Sequence, residues 1–302
     1  MIEKILKRLL GLAIFPFTTF LTKTRFGRDC LFSVLPKNEL VITKTKEGLY
    51  YVINTSDDVI GRSIFINKQS YGSQNLIKAL ELVGKHKSTI LDVGANIGTI
   101  GISGISHGYF AKCMAFEPEP NNFKLLQTNV NINELSEKFE LRNEALSNIT
   151  DRVLDFELSN NNFGDHRVRI KNTPGFLHEE NRKLISVNVN TLDHVLRDYD
   201  LSECFLFMDT QGHEGHILSG ALKLIDASVP IVTEFWPYGL KRSNGLDMFY
   251  KALSASKYTT IWDLSFPDKK IKFSIDELKS IALNLGEDGA YTDLIFTNER
   301  VV

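Results

Sequence analysis

From residue 87 onward, short apolar runs alternate with segments whose apolar residues recur at helical spacing. The apolar runs are TILDV (89–93), KCMAF (112–116), FELRNEA (139–145), CFLFMD (204–209) and PIVTEF (230–235). The helical segments cover residues 98–108, 120–132, 214–226 and 245–256. Nearly all-apolar strands separated by helices indicate a parallel sheet covered on both faces. KYTTIWDL and YTDLIFTNE predict two further strands, with a helix near 275–285 between them.

Two regions depart from this alternation. Residues 1–86 contain a first helix and a hairpin-like LVITKTKEGLYYVI, which predict an extension packed on a main domain of residues 87–302. Residues 146–191 begin with polar, asparagine-rich sequence and continue with period-two alternation, which is typical of exposed antiparallel strands. We expect this inserted β-hairpin to rise over the carboxyl ends of the sheet, where open α/β folds bind ligands.

The first 20 residues predict an amphipathic helix. Their apolar run is about ten residues long and closed by Pro16, too short for a bilayer and without a cleavage signature. Lys4, Lys7 and Arg8 lie largely off the apolar face. The helix can pack on the domain or lie on an anionic membrane surface, so peripheral contact through residues 1–20 stays open.

Composition limits the function classes. The 302 residues are 43% hydrophobic with a net charge of −2, which indicates a globular chain with no general attraction to nucleic acid. Cys30, Cys113 and Cys204 are far apart and odd in number, and form no disulfide or zinc pattern. That usage is typical of reduced thiols in a cytosolic protein. The oligomeric state is not indicated.

The loop after the first strand of the main domain does not match the dinucleotide fingerprint. That fingerprint places its first two glycines two residues apart for a pyrophosphate, whereas Gly94 and Gly98 are four apart and follow Asp92. A carboxylate at this point repels phosphate but suits an ammonium group. The loop therefore favours a ligand with an amino-acid end. Gly101 lies inside the following helix and is expected to serve helix-to-sheet packing.

Glu117 ends the second strand, about 25 residues after Asp92, where doubly wound folds place a carboxylate for ribose hydroxyls. A ribose and an amino-acid end without a phosphate cradle describe S-adenosylmethionine. In the competing interpretation, Glu117 caps the next helix and Asp92 only forms a turn.

Six segments follow one another along the chain: DVGANIGTIGI, AFEPEPNNFKLLQTNV, NEALSN, VNVNTLDHVL, FMDTQGHEGHILSGA and PIVTEFWP. Their order gives the sequence a resemblance to the FkbM-type S-adenosylmethionine-dependent methyltransferases. It spans residues 57–262 and implies a class I methyltransferase (Rossmann-like) α/β fold, with a seven-stranded, mostly parallel sheet and helices on both faces. The resemblance also implies O-methylation of a sugar, glycan or secondary-metabolite hydroxyl.

The resemblance further implies a role for individual residues. Asp92, Gly94, Ala95, Asn96 and Gly98 would surround the methionine end of the cofactor. Glu117 and Pro118 would hold the ribose, and Glu144, Ala145 and Leu146 would lie along the adenine. Asp209 would lie next to the sulfonium. The segment from Asp209 keeps Gly212 and Glu214 of the family pattern, but Thr210 and Gln211 replace its usual apolar-acidic pair and His216 adds a second histidine.

Methyl transfer to a hydroxyl needs alignment and proton removal. Asp209, His213, Glu214 and Glu234 are the candidate catalytic groups, and His213 is the first choice as general base because histidine titrates near neutral pH. His213 could equally be a solvated or capping histidine at the start of a helix, and Glu214 could act only on the helix dipole. A divalent metal is conceivable but not favoured, because the spacing matches no metal signature.

The sequence indicates the residues that contact the methyl acceptor less clearly than those that contact the cofactor. The basic run His166, Arg167, Arg169 and Lys171 could hold a phosphate or a sugar acid, or form a solvated strand face. Trp236 and Tyr238 could stack on a sugar ring or close the end of the core. The competing functions are a dinucleotide-dependent oxidoreductase, disfavoured by the missing fingerprint, and a non-catalytic interaction protein that keeps the fold.

Overall fold

A computed structural model describes residues 21–83, 87–170, 175, 177, 179–267 and 269–298. The chain divides into two compact units, Met1–Tyr71 and Gly72–Val302. The sequence placed this boundary at residue 86. The predicted amphipathic helix of residues 1–20 lies outside the described residues, so its membrane contact stays a prediction. Among the described residues, no helix combines the length and apolar character that crossing a membrane requires.

The helices and strands are numbered in chain order. The helices are α1 (Arg25–Val34), α2 (Ile60–Asn67), α3 (Ser73–Val83), α4 (Thr99–Ser106), α5 (Pro120–Ile132), α6 (Leu192–Val195), α7 (Glu214–Ser219), α8 (Leu222–Asp226), α9 (Pro237–Arg242), α10 (Leu246–Ser254) and α11 (Ile275–Leu285). The strands are β1 (Leu40–Lys44), β2 (Tyr50–Asn54), β3 (Thr89–Val93), β4 (Lys112–Phe116), β5 (Phe139–Arg142), β6 (Ala145–Leu146), β7 (Arg152–Leu158), β8 (Arg167–Val168), β9 (Lys183–Asn190), β10 (Cys204–Met208), β11 (Ile231–Phe235), β12 (Thr260–Asp263), β13 (Lys270–Lys272) and β14 (Thr292–Thr297).

The first unit is built around the predicted hairpin. Strands β1 and β2 pair antiparallel, and Gly48 in the connection adopts a φ of +93°, which suits glycine. Tyr51 and Ile53 of β2 are fully buried, as is Ile64 of α2. Arg28 of α1 donates from Nε to the Ile66 carbonyl at 2.6 Å, which ties α1 to the end of α2.

The second unit contains an eight-stranded sheet in the order β13-β12-β14-β11-β10-β3-β4-β5. Six strands run parallel and two, β14 and β13, run against them. The predicted mostly parallel α/β sheet is therefore confirmed, with one strand more than the expected seven. The extra strand, β13, is the lysine-rich Lys270–Lys272 at the sheet edge, and it is too short and polar to give a strand pattern.

Most element boundaries agree with the sequence, and two differ for physical reasons. The third strand ends at Arg142 instead of residue 145, because the chain leaves the large sheet there. The helix expected over 214–226 is divided into α7 and α8 at Gly220. A Cβ on Gly220 would lie 2.2 Å from the Ser147 carbonyl oxygen, so the backbones approach closely at this break.

The insertion forms a second sheet of four strands in the order β6-β9-β7-β8, instead of a simple hairpin. Strand β7 pairs antiparallel with both β9 and β8, while β6 runs parallel to β9. Its buried cluster consists of Ala145, Phe156, Val168, Val187 and Val189. The extra strands are only two residues long, and strands of that length leave no periodic signal in a sequence.

Two of the three cysteines lie in the core, as the sequence indicated. Cys113 in β4 and Cys204 in β10 are buried, whereas Cys30 in α1 is exposed, and all three are free thiols. Burial raises the pKa of both core thiols, which keeps them protonated and unreactive.

Candidate active site

The strand order of the large sheet reverses between β3 and β10. From β3 the chain continues to β4 and β5 on one side, and from β10 it continues to β11 on the other. Open α/β sheets bind ligands beyond the carboxyl ends of the strands at such a reversal. The two strand ends meet there, since the Asp209 amide donates to the Val93 carbonyl at 3.0 Å. A Cβ on Gly94, whose φ is +85°, would lie 1.9 Å from the Asp209 carbonyl oxygen. Only glycine fits here.

The glycine loop is held against the end of β4. The amides of Gly94 and Ala95 both donate to the Phe116 carbonyl, at 3.1 and 2.9 Å. Asn96 and Gly98 adopt φ values of +52° and +91°, so the chain turns sharply before α4 begins at Thr99. A Cβ on Gly98 would meet the Leu126 side chain at 2.6 Å. Gly94 and Gly98 thus each meet a different neighbour, the Asp209 backbone and the Leu126 side chain, which accounts for their wide spacing.

Asp92 is buried at the end of β3 and is fixed by the following helix. Its Oδ2 accepts a hydrogen bond from the Gly101 amide at 2.9 Å. Burial raises the pKa of Asp92 to about 7, the Gly101 amide lowers it, and the charge of Asp209 raises it further. A Cβ on Gly101 would lie 2.7 Å from the Cys113 sulfur, which confirms its expected packing role. Gly101 also orients Asp92, which the sequence did not indicate.

Glu117 connects the end of β4 to the glycine loop. Its Oε2 accepts from the Asn96 amide and its Oε1 from the Glu119 amide, both at 2.8 Å. Burial raises the pKa of Glu117 to about 8, although the two amides lower it. The helix cap is Glu119, which accepts from the Asn122 amide, so the capping interpretation of Glu117 is wrong. Each oxygen of Glu117 has a second lone pair for a hydroxyl donor.

The three residues expected along the adenine lie beyond the strand that the sequence indicated, Glu144 in the bend after β5 and Ala145 and Leu146 in β6. Glu144 pairs with Arg142 at 3.1 Å and accepts from Asn190 at 3.3 Å. Ala145 and Leu146 are buried in β6 of the smaller sheet. At the end of β5, Asn143 donates from Nδ2 to the carbonyls of Glu117 and Pro118, at 2.8 and 3.2 Å. Asn143 was missed because one asparagine in a turn carries no distinct sequence signal.

The insertion contacts the glycine loop through the backbone carbonyl of Phe163. The Phe163 oxygen accepts from Asn96 Nδ2 at 2.7 Å and from Asn122 Nδ2 at 3.1 Å. Asn96 belongs to the glycine loop and Asn122 to α5, so the segment around Phe163 is anchored beside the predicted cofactor site. The sequence predicted that the insertion would rise over this edge, but it did not identify Asn122 or Phe163.

Carboxylates surround Asp209 at the same edge. Asp209 is solvent-exposed, but the protein atoms around it desolvate its carboxylate and raise its pKa, with Asp165 adding to the effect. Gln211 donates from Nε2 to Asp209 Oδ1 at 2.7 Å and to the oxygens of Glu234 at 3.2 and 3.4 Å. Burial and the charge of Asp209 raise the pKa of Glu234 well above its usual range. Asp293 of β14 lies in register with Glu234.

Glu214 closes the turn that follows β10. Its Oε1 accepts from the amide and hydroxyl of Thr210, both at 2.9 Å, and from the Gly212 amide at 3.3 Å. Oε2 is buried without a hydrogen-bond partner. Burial raises the pKa of Glu214 to about 7, and the charge of Asp209 contributes to the rise. Glu214 therefore shapes the loop that carries Gln211.

His213 lies away from solvent. It is 2% exposed, its Nε2 lies 3.0 Å from the Ser147 hydroxyl, and its ring stacks on His216 at 4.4 Å. Burial lowers the pKa of His213 well below its usual range, and His216 lowers it further. His216 contacts the Ser243 carbonyl at 2.9 Å. A general base must reach both the substrate and an outlet for the proton, so Asp209 is better placed than His213 for this role.

The carboxylates and histidines do not form a metal-binding set. Among the described residues, no group of three or more His, Cys, Asp or Glu side chains is arranged to hold a metal ion.

The basic run of the insertion forms a buried ionic cluster instead of a solvated face. Arg167 is 4% exposed, bonds to Asp165, and lies 3.6 Å from both Glu157 and Glu179. Its guanidinium also lies over the Trp236 ring, 4.8 Å from the centroid. Arg167 is thus enclosed by carboxylates, while its Nε and Nη1 make no hydrogen bond. Lys171 lies outside the described residues.

Of the two roles that the sequence left open for Trp236, the structure supports closure of the core. Trp236 is 5% exposed and donates from Nε1 to the Gly289 carbonyl at 3.1 Å, so it closes the core and does not present a face to a ligand. Tyr238 hydrogen bonds to Glu179 at 3.0 Å. Tyr291 is 59% exposed. Partial burial and the charges of Glu234, Asp293 and Asp209 raise the pKa of its hydroxyl. The sequence had assigned Tyr291 only to a strand.

A family profile described as the methyltransferase FkbM domain matches residues 92–256, more than half of the chain. No curated protein matches the sequence. Among solved structures, the methyltransferase FkbM of Methylobacillus flagellatus KT is 18% identical with a TM-score of 0.42; the alignment covers 70% of this chain and 44% of that one. The chain therefore spans less than half the length of that relative.

Two further structures give similar values. The tRNA m1G37 methyltransferase of M. jannaschii is 13% identical with a TM-score of 0.44, over 88% of this chain and 59% of that one. The Pyrococcus abyssi tRNA (uracil-54, C5)-methyltransferase, in complex with S-adenosyl-L-homocysteine, is 14% identical with a TM-score of 0.39, over 85% and 44%. At these identities the alignments do not bear on the acceptor.

Proposed function

Because the chain belongs to the FkbM methyltransferase family, we propose that it is an S-adenosylmethionine-dependent O-methyltransferase that acts on a hydroxyl of a sugar, glycan or secondary metabolite. The bound cofactor supplies an electrophilic methyl group. The protein's own task is then to hold the cofactor, align the acceptor oxygen and remove its proton.

The observation that carries the proposal is the position of Glu117. Its carboxylate is fixed by the Asn96 and Glu119 amides at 2.8 Å, at the end of the strand next to the glycine loop. A carboxylate held in this way accepts two vicinal ribose hydroxyls, while the turn from Gly94 to Gly98 receives the methionine end. Asp92 is the candidate partner for the ammonium group.

On the acceptor side, Asp209 is the proposed general base. It lies at the carboxyl end of β10, reaches solvent and is surrounded by carboxylates that disfavour its negative charge, which increases its basicity. Tyr291 offers an exposed aromatic face beside these carboxylates, and such a face suits the apolar side of a sugar ring. Glu214 and Glu234 are proposed to support Asp209.

Calorimetric titration with S-adenosylhomocysteine tests the cofactor assignment. We expect binding to the wild type and a loss of about tenfold or more in Glu117→Gln, because the variant offers one carboxylate oxygen fewer to the ribose. Glu137→Gln is the matched control, since Glu137 is exposed on a short helical turn that precedes β5, at the opposite end of that strand from the proposed site. Equal affinity in both variants, or protection against unfolding by NADH alone, would contradict the assignment.

The acceptor class is tested separately. Incubating the protein with methyl-labelled S-adenosylmethionine and a panel of cell-envelope glycans should transfer label to a sugar hydroxyl, identified by mass spectrometry. Label on nitrogen or carbon would contradict the O-methyl proposal while leaving cofactor binding intact.

We place the protein in the cytoplasm, with residues 1–20 as a candidate contact to the inner face of the membrane. Their predicted amphipathic character and basic residues support this. Sedimentation with vesicles containing anionic lipid should bring down the full chain but not a chain lacking residues 1–20.

A further inference from the structure

Gln211 joins the two carboxylates nearest to the proposed acceptor position. One amide group, Nε2, lies 2.7 Å from Asp209 Oδ1 and 3.2 Å from Glu234 Oε2. Gln211 adopts a φ of +55°, a conformation that is uncommon for a residue with a side chain. The turn that imposes this conformation is held by Glu214, through its bonds to the Thr210 and Gly212 amides. The surrounding fold therefore fixes the Gln211 amide between the two acids.

The bridge is not symmetric. The Asp209 contact is 2.7 Å, whereas the two Glu234 contacts are 3.2 and 3.4 Å. Glu234 is 5% exposed in the last part of β11, whereas Asp209 reaches solvent. A hydrogen bond from a neutral amide favours the ionised form of the acid that it contacts more closely, and burial favours the neutral form of the other.

We propose that Gln211 is a positioning residue that selects which of the two acids works as the base: it holds Asp209 ionised and aimed at the acceptor, while Glu234 keeps the proton. The proposal rests on the proposed function, because it assigns roles within the same methyl-transfer site. Gln211 is not itself a catalytic residue, since it acts through Asp209.

Many titratable groups surround Asp209 and Glu234 and affect which of the two is ionised. Asp209 is faced by Asp92 from β3, Asp165 from the insertion, Glu214 from α7, Glu234 from β11 and Asp293 from β14. Glu234 is faced by Asp209, Glu214, Asp293, Arg167 and Tyr291. All but Arg167 and Tyr291 are carboxylic acids, so each negative charge disfavours the ionisation of the others. The Gln211 amide lies closer to Asp209 than to Glu234 and therefore favours the ionised form of Asp209.

The test is a carbon-detected NMR titration of the full chain, labelled with ¹³C at the carboxyl carbons of Asp and Glu. The signals are assigned by their loss in Asp209→Asn and Glu234→Gln. Gln211→Leu removes the donor while keeping an unbranched Cβ, and Gln211→Glu replaces it with a carboxylate of the same shape. Gln127→Glu, on the exposed face of α5, is the matched control. The titration is recorded with and without S-adenosylhomocysteine.

In the wild type and the control, the Asp209 signal should titrate at lower pH than the Glu234 signal. In Gln211→Leu and Gln211→Glu the separation should shrink to half or less, because Asp209 loses the donor that stabilises its charge. An unchanged separation in either folded variant, or Glu234 titrating first in the wild type, would overturn the proposal. Failure of S-adenosylhomocysteine to bind the wild type would instead contradict the proposed function, since the titration of the free protein does not depend on it.

Discussion

Gly94 and Asp209 touch through their backbones at the point where the strand order reverses. A Cβ on Gly94 would lie 1.9 Å from the Asp209 carbonyl oxygen, and the φ of Gly94 is +85°. The contact holds the proposed cofactor loop and the proposed base at a fixed separation. A change at Gly94 therefore acts on both at once.

We expect Gly94→Ala to lower the free energy of unfolding by about 3 kcal/mol or more, from the combined clash and backbone strain. It should also abolish S-adenosylhomocysteine binding. Chemical denaturation and calorimetry measure the two effects. Gly108→Ala is the control, because Gly108 has a φ of +70° but no atom within 4 Å of an added Cβ. Its cost should be about 1 kcal/mol. Equal losses in both variants would show that strain alone matters.

The raised pKa of Glu117 makes the stability of the free protein depend on pH. The folded-state pKa of about 8 lies above the ordinary value of 4.5, so the folded state holds a proton that the unfolded state releases. Stability is therefore highest below pH 4.5, as far as this group is concerned, and is lost as the pH rises towards 8. The loss should be about 4 kcal/mol by pH 8.

Glu117→Gln cannot titrate, so this part of the pH dependence should disappear, whatever the variant's absolute stability. Urea denaturation at pH 5, 6.5 and 8 measures the slope, and Glu137→Gln should keep the wild-type slope. A slope that is the same in all three proteins would contradict the burial of an ionisable Glu117.

Removing the Asn96 side chain should loosen the insertion. Asn96→Gly tolerates the φ of +52° but deletes the bond from Nδ2 to the Phe163 carbonyl. We expect faster amide exchange over residues 159–165, measured by mass spectrometry, and a loss of about 1 kcal/mol in stability. Asn244→Gly, an exposed asparagine with a φ of +60°, is the control and should leave that segment unchanged. Unchanged exchange in Asn96→Gly would mean that Asn122 anchors the segment alone.

Arg167 is expected to contribute to stability and not to acceptor binding. Arg167→Met leaves the buried carboxylates of Glu157 and Glu179 without that cation, and should cost about 3 kcal/mol in thermal or urea unfolding. The exposed Arg152→Met should cost less than about 0.5 kcal/mol. If Arg167→Met were as stable as the wild type but bound phosphorylated or acidic sugars less tightly, the acceptor interpretation of the basic run would be restored.

Asp209→Asn should reduce the rate of methyl transfer about 100-fold or more, because the amide cannot accept the acceptor's proton. S-adenosylhomocysteine affinity should change little. His213→Asn should mainly lower stability, since His213 is buried against Ser147 and His216. The rates are measured with methyl-labelled cofactor and the identified acceptor. The opposite result, a large rate loss in His213→Asn alone, would return the base to His213.

The sequence predicted the secondary structure correctly where the pattern of buried apolar residues determines it. Strands β3 and β4 and helices α5 and α11 begin and end where the hydrophobic pattern placed them. Asp92, the glycines and Glu117 were found because strand ends of a parallel sheet share one edge. The family assignment followed from the order of these motifs and is confirmed.

The sequence failed where a role depends on a neighbour that is distant along the chain. Nothing local distinguishes a buried His213 from an exposed one, because its burial depends on Ser147, 66 residues away. Arg167 looked like part of a solvated strand because its partners Glu157 and Glu179 lie on other segments. In the sequence, Gln211 is only a departure from the family's usual apolar-acidic pair. Its hydrogen bond to Glu234 depends on the pairing of β10 with β11, which the local sequence does not show.

The anchor at Phe163 has a consequence for how this chain could diversify. Both asparagines bond to a backbone oxygen, which every amino acid supplies, so the anchor does not depend on the side chain at that position. The exposed neighbouring side chains of Asn160 and Asn161 can therefore vary without disturbing the loop that carries Asn96. In engineering terms, these two residues are the first positions to randomise when a different acceptor is wanted and the cofactor site is to stay unchanged.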